Sequence, residues 1–91
     1  MKMFVEFVGP VLTSTITGQA VADAIVAHNA GAVVSDHGGY LRGRVPERCI
    51  VTRRAIEGHL GATFSFPSDL ERIMPSFAGR MTISDEGVQW E

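Results

Sequence analysis

The sequence predicts an α+β fold in which two β-α-β-β motifs form a mostly antiparallel sheet with two helices packed on it. Short runs of β-branched and aromatic residues, bounded by glycine, proline and aspartate, indicate several short strands. Two segments with apolar residues at helical spacing separate these strands. The chain has 91 residues, slightly below the ~100–200 residues of a typical domain, so we expect one domain spanning residues 1–91.

The first strand is predicted over residues 3–13, where β-formers such as Phe7 and Val11 recur. Gly9-Pro10 interrupts this run of apolar residues. Because proline cannot donate a hydrogen bond to a neighbouring strand, we expect Pro10 at a sheet edge or in a bulge.

The first helix is predicted over residues 19–29. Its apolar stripe consists of Val21, Ala22, Ile25 and Val26. Gly18 marks a break before this helix, and the run from Asn29 to Gly31 is typical of a helix stop.

A hairpin follows the helix. Residues 32–35 and 40–45 are predicted strands, and the run from Asp36 to Gly39 has the composition of a tight turn. Strand alternation then places Tyr40, Arg42 and Arg44 on one face.

The second half begins with a short strand over residues 49–51. Thr52 is a good N-cap for a second helix, and Gly61 suits its C-terminal end. Residues 62–67 are predicted as a loop, whereas residues 70–74 are compatible with either a helical turn or a strand. The chain ends with a hairpin of residues 81–84 and 88–90, joined by Asp85-Glu86-Gly87.

Composition excludes several classes of protein. One cysteine cannot form an internal disulfide or a thiolate metal cluster. No run of apolar residues approaches the ~18 that span a bilayer, and the N-terminus lacks the pattern of a signal peptide. We therefore expect a cytoplasmic protein without membrane association.

The search for catalytic or metal-binding residues finds no strong pattern. None of the three histidines forms the spaced pair that zinc hydrolases use. Asp36 and His37 could contribute to a metal or proton-transfer site, but a turn with a capping aspartate is the favoured interpretation. Cys49 lies in an apolar strand, which favours a buried side chain over a reactive thiolate.

Five arginines lie between positions 42 and 54, although the chain has a net charge of −2. Arg42 and Arg44, with Tyr40 beside them, are compatible with three roles: a nucleic-acid contact, a sheet face kept soluble by charge, or a docking face for an acidic protein surface. The overall negative charge disfavours nucleic acid. Phe77, flanked by small residues, suits either the core or a partner contact.

The sequence resembles the effector proteins of bacterial multicomponent diiron monooxygenases, the family of the regulatory proteins of methane, phenol, toluene and alkene monooxygenases. Four segments carry the resemblance, in the family's order. They are residues 8–11, residues 39–45, residues 49–57 with Leu60-Gly61, and residues 75–80 followed by a hairpin that ends at Trp90.

The resemblance implies a cofactor-free, non-catalytic α+β protein that binds the large subunit of a diiron hydroxylase. Such proteins adjust substrate access, oxygen activation and the coupling of electron transfer to hydroxylation or epoxidation. It places the partner contact on the stretch from Ile73 to Arg80. The expected partner-binding residues are Ile73, Ser76, Phe77, Gly79, Arg80, Arg42, Arg44, Gly9 and Pro10.

Two alternatives remain open from the residues alone. One is a ferredoxin-like regulatory domain that binds a small molecule between helix and sheet. The other is a small enzyme that uses Asp36 and His37. We expect no metal and no cofactor, and a monomer in the free state. Neither the substrate of the partner hydroxylase nor the residues that dominate affinity follow from the sequence.

Overall fold

The computed structural model describes residues 6–91, which contain seven strands and three helices. In chain order these are β1 Phe7–Thr13, α1 Ile16–His28, β2 Val33–Asp36, β3 Tyr40–Pro46, β4 Cys49–Thr52, α2 Arg53–Leu60, α3 Ser68–Ile73, β5 Ser76–Ala78, β6 Met81–Ile83 and β7 Gly87–Trp90. The predicted α+β class is confirmed. Residues 3–5 of the predicted first strand lie outside the described residues.

The described strands form two antiparallel sheets where the sequence predicted one. Sheet 1 has the order β2-β3-β1-β5 and sheet 2 the order β4-β7-β6. Glu47, with a φ of 67°, adopts a left-handed conformation that turns the chain between β3 and β4. β4 therefore leaves sheet 1, and β5 later returns to it beside β1.

The expectation that Pro10 lies at an edge or a bulge is wrong, because β1 lies between β3 and β5. Pro10 is fully buried in this interior strand. The ladder between β1 and β3 is interrupted at Gly9 and Pro10, where the proline has no N–H to donate. Gly43 on β3 has no side chain, and the Pro10 ring Cδ lies 3.5 Å from where a Cβ on Gly43 would be.

Both longer helices begin at side-chain caps. α1 starts at Ile16, earlier than predicted, because the Thr15 hydroxyl accepts from the Gly18 N–H at 3.0 Å. Gly18 therefore lies within the first turn and does not break the helix. The predicted cap of α2 is confirmed, since the Thr52 hydroxyl accepts from the Ala55 N–H at 3.1 Å.

The region that the sequence left open between helix and strand is the short helix α3. Its buried residues Leu70 and Ile73 face the core, and Pro75, two residues after its end, cannot continue it. The strand β5 follows at once and was not predicted. Its three residues carry no alternating apolar pattern, so only pairing with β1 defines them as a strand.

The core lies between the two sheets and the helices. It combines residues from both halves of the chain, and burying each large apolar side chain contributes ~1.5–3 kcal/mol. The largest fully buried side chains are Trp90, Phe64, Leu12, Ile25, Leu41, Ile56 and Leu70. Trp90, on the last strand, therefore packs in the same cluster as Leu12 on the first.

Asn29, at the end of α1, joins the two halves through its side-chain amide. Its Oδ1 accepts from the Ile50 N–H at 2.9 Å, and its Nδ2 donates to the Ile50 carbonyl at 2.8 Å. Nδ2 also donates to the carbonyl of Ile25 in the last turn of α1 at 2.9 Å. One amide thus pairs with β4 as a neighbouring strand would.

We expect Asn29→Ala to lower the free energy of unfolding by about 1–3 kcal/mol, because three hydrogen bonds are lost together. Urea unfolding followed by circular dichroism measures the change, with an unaltered m-value as evidence that the native state is intact. Asn29→Asp is the matched control: it keeps an acceptor for the Ile50 N–H but has no donor for the two carbonyls. Equal stability of the wild-type protein and both variants would contradict the role of the Asn29 amide in joining α1 to β4.

Candidate functional site

Sheet 1 has one face without a helix, which we call the open face. Tyr40, Arg42 and Arg44 on β3 are exposed, whereas the intervening Leu41 and Val45 are buried. The predicted alternation along this strand is therefore confirmed. Helix α1 packs against the other face, where its buried residues join the core.

Strand register brings several predicted partner-binding residues onto the open face. Residues directly opposite one another on antiparallel strands share a face of the sheet. One row crosses all four strands through Ser35, Arg42, Val11 and Ser76. In the next row, Val33 lies opposite Arg44, and Gly9 lies opposite Ala78.

The two arginines of the open face have no ion-pair partner within the described part of the chain. The ion pairs found among residues 6–91 join Arg48 to Glu91 at 3.8 Å and Arg53 to Glu57 and Glu86 at 3.8 and 3.4 Å. Arg42 and Arg44 therefore present uncompensated positive charge, although the chain as a whole is negative.

The hairpin between β2 and β3 borders the open face. The Asp36 carboxylate accepts from the Gly38 N–H at 2.8 Å, as expected of a turn-capping aspartate. The His37 ring stacks on Tyr40 with centroids 4.7 Å apart, and its Nε2 lies 2.8 Å from the Ser35 hydroxyl. These contacts give Asp36 and His37 structural roles in the turn.

Residues 76–80, which we call the edge segment, form the other border of sheet 1. Phe77 on β5 pairs with Pro10, so its side chain lies on the face opposite the arginines, and it remains 40% exposed at the sheet edge. A large aromatic side chain at an unpaired sheet edge is a common feature of protein interfaces.

Gly79 and Arg80, at the end of the edge segment, connect β5 to sheet 2. The Arg80 N–H donates to the Glu91 carbonyl at 2.7 Å, and the Glu91 N–H donates back at 3.0 Å. Gly79 has a φ of 101°, and a Cβ there would lie 2.8 Å from Cγ1 of Val8. Only glycine fits this close approach without strain, so the backbone path of the edge segment is well defined.

Three of the predicted partner-binding residues are buried. Gly9 and Pro10 lie in the interior of sheet 1, and Ile73 packs in the core from α3. Because β5 pairs with Gly9 and Pro10, these residues support the edge segment from below. Direct contact of their side chains with a partner is not available in this conformation.

Two exposed apolar residues of the open face, Phe7 and Val33, are not among the predicted partner-binding residues. With Arg44 they line a cleft of about 250 Å³. The signal was present in the strand alternation, since Val8 is buried and its neighbour Phe7 must therefore face outward.

A sequence model of the MmoB/DmpM family matches residues 6–91. The chain belongs to the MmoB/DmpM family. The resemblance drawn from the four segments is thereby confirmed. This protein of the MmoB/DmpM family is also 39% identical over 87 residues to the alkene monooxygenase system effector subunit of Xanthobacter autotrophicus strain Py2, an alignment that covers 93% of this chain and 85% of the relative.

Solved structures confirm the family's fold for this chain. Chains from two structures of a phenol hydroxylase–regulatory protein complex superpose with TM-scores of 0.83 and 0.76, each at 20% sequence identity. The matches cover 94% and 91% of this chain and 98% and 96% of the respective chains. At this level of identity, the likeness concerns the fold.

The described residues of this MmoB/DmpM-family protein contain no cluster of three or more His, Cys, Asp or Glu side chains that could hold a metal ion. None of the helices within residues 6–91 is long and apolar enough to cross a bilayer. Cys49 is buried, as predicted, and burial raises the pKa of its thiol to about 12.

We expect Cys49 in the native protein to react with iodoacetamide far more slowly at pH 8 than the same thiol in urea, because the thiolate is the reacting form. The folded pKa exceeds the unfolded value of ~8.5. The stability contributed by the neutral thiol is therefore complete below that value and is lost as the pH rises toward 12. Mass spectrometry of the alkylated protein measures both rates, and equal rates would contradict a buried thiol.

Proposed function

We propose that this protein is the effector subunit of a multicomponent diiron monooxygenase. The observation that carries the proposal is the 39% identity, over almost the whole chain, to the effector subunit of an alkene monooxygenase system. In this role the protein is a single non-catalytic domain without a cofactor. It acts in the cytoplasm and is a monomer when free.

The proposed mechanism is differential binding to the large subunit of the hydroxylase. A cofactor-free effector can shift the equilibrium between two hydroxylase states only as far as its affinities for them differ. Binding to the state that admits substrate and activates oxygen would raise turnover and couple electron transfer to hydroxylation or epoxidation. The hydroxylase, and not the effector, determines whether the substrate is an alkene or an aromatic compound.

The edge segment supplies the proposed central contact. Phe77 is an exposed aromatic side chain, and Ser76, Gly79 and Arg80 surround it on a backbone held by both sheets. Gly9 and Pro10 pair with this segment from β1, and Ile73, a few residues before it, anchors the chain in the core. Arg42 and Arg44 guide the approach of an acidic hydroxylase surface, an effect that raises association rates.

The alternative of a ligand-sensing domain has less support. A small molecule between helix and sheet would need space where Leu12, Ile25 and Leu41 are fully buried in one cluster. An enzyme that uses Asp36 and His37 would have to release both residues from their turn contacts. We therefore retain the effector role.

We expect turnover by the hydroxylase and its reductase to rise steeply when this protein is added, and to reach a plateau near one effector per hydroxylase active site. Oxygen consumption and product formation, measured together, report rate and coupling. An unrelated acidic protein of similar size at equal concentration is the control. Unchanged rate, product distribution and coupling would refute the effector role.

We expect Phe77→Ala to weaken binding to the hydroxylase about tenfold or more while lowering the free energy of unfolding by less than ~1 kcal/mol, because the side chain is 40% exposed. Phe64→Ala is the matched control, since Phe64 is fully buried and its loss costs ~3–5 kcal/mol. Isothermal titration and urea unfolding measure the two effects. A loss of stability in Phe77→Ala that matches its loss of affinity would instead make Phe77 a core residue.

A further inference from the structure

We propose that the cleft of the open face binds a segment of the hydroxylase in which a carboxylate adjoins an apolar side chain. The carboxylate pairs with Arg44, and the apolar side chain enters between Phe7 and Val33. This inference rests on the proposed effector function and specifies the chemistry of a second contact, separate from the edge segment.

The apolar part of the cleft consists of two large side chains that nothing in residues 6–91 covers. Phe7 is 51% exposed and Val33 is 55% exposed. Val33 lies directly opposite Arg44 on the neighbouring strand. Exposed aromatic and aliphatic side chains that flank a cation are the composition from which the centres of interfaces are built.

Gly9 holds β1 close to the strand that carries Arg44. It has a φ of 141°, and a Cβ at this position would lie only 2.6 Å from the Gly43 carbonyl oxygen. Only glycine fits this close approach without strain. Gly9 itself is buried, so its part is to fix the spacing of β1 and β3, the strands that carry Phe7 and Arg44.

The charged part of the cleft selects a carboxylate over a nucleic acid. Arg42 and Arg44 are two residues apart on one strand face and lack an acidic partner within the described chain. The chain as a whole has a net charge of −2, which disfavours an extended polyanion such as a nucleic acid. A guanidinium between apolar side chains suits one bidentate carboxylate.

The size of the cleft favours a protein side chain over a free small molecule. Its volume of about 250 Å³ lies below the ~300–1,000 Å³ of typical small-molecule sites. The row of residues from Ser35 to Ser76 lies next to the cleft and crosses sheet 1 to the edge segment. Four strands at ~4.8 Å spacing span roughly 14 Å, so one interface of ordinary size can cover the open face as far as Ser76. Phe77 lies on the other face of β5, so the same partner would extend around the sheet edge to reach it.

The first test compares hydroxylase binding by cleft variants with that by matched controls. We expect Arg44→Gln and Val33→Ser each to raise Kd about tenfold and Arg44→Gln to reduce the salt dependence of association, which Val33→Ser should leave unchanged. Arg54→Gln, on α2, and Ile16→Ser, on α1, alter exposed residues in the helical layer and should leave Kd within about twofold. Thermal unfolding confirms that each variant folds.

The second test locates the contact. A photoreactive benzoylphenylalanine at position 33 should crosslink to the hydroxylase, whereas the same group at position 16 should not. Replacement of the acidic residue in the crosslinked hydroxylase peptide by lysine should restore binding of the hydroxylase to the Arg44→Glu variant.

The outcomes separate this inference from the effector role. If the wild-type protein raises turnover while the cleft variants bind as tightly as the controls, the cleft proposal alone is wrong. A crosslink from position 33 to a second copy of this chain, or failure of the charge reversal to restore binding, would also overturn it. If the wild-type protein neither binds the hydroxylase nor alters turnover, both proposals fail.

Discussion

The close pairing of β1 with β3 at Gly9, Pro10 and Gly43 is the constraint on which the rest of the structure depends. A proline in an interior strand is tolerated here because the ladder is interrupted at that point and because Gly43 opposite it has no side chain. β1 can therefore accept β5 on its other side. Without that pairing, Phe77 would have no defined position relative to the arginines of β3.

The pairing of β1 with β3 also determines which residues lie on each face of sheet 1. The inner face contributes Leu12, Leu41 and Val45 to the core beneath α1. The outer face keeps Arg42 and Arg44 in solvent. Since both sets of residues lie on the same short strands, a shift of register by one residue would exchange the core residues and the exposed arginines. The core and the positive charge of the open face thus depend on the same strand pairing.

Local chemistry in the sequence was sufficient to predict the elements that depend on neighbouring residues. The cap at Thr52, the end of α2 at Gly61 and the outward face of Tyr40, Arg42 and Arg44 all follow from contacts within a few residues. The pairing of β5 with β1 could not be predicted in the same way, because Ser76 and Val11 are distant in sequence and residues 76–78 carry no strand pattern. The division of the strands into two sheets could not be predicted either, because it too depends on pairing between residues distant in sequence.

The residues of the candidate site also differ in how far the sequence predicts their exposure. Arg42 and Arg44 could be identified from alternation, whereas the burial of Gly9, Pro10 and Ile73 depends on which strand and helix cover them. The family resemblance named a stretch of chain, residues 73–80, but not the direction of each side chain. Phe7 and Val33 were overlooked because a lone exposed apolar residue is unremarkable until its neighbours on other strands are known.

The amide of Asn29 has a consequence for how this protein avoids unwanted self-assembly. By satisfying the outward N–H and carbonyl of Ile50, it removes from the β4 edge the backbone groups that a foreign strand would recognise. Sheet 2 is thereby closed along that edge by a single side chain. A strand of another molecule is therefore directed away from β4, whereas sheet 1 is bounded by the backbones of β2 and β5.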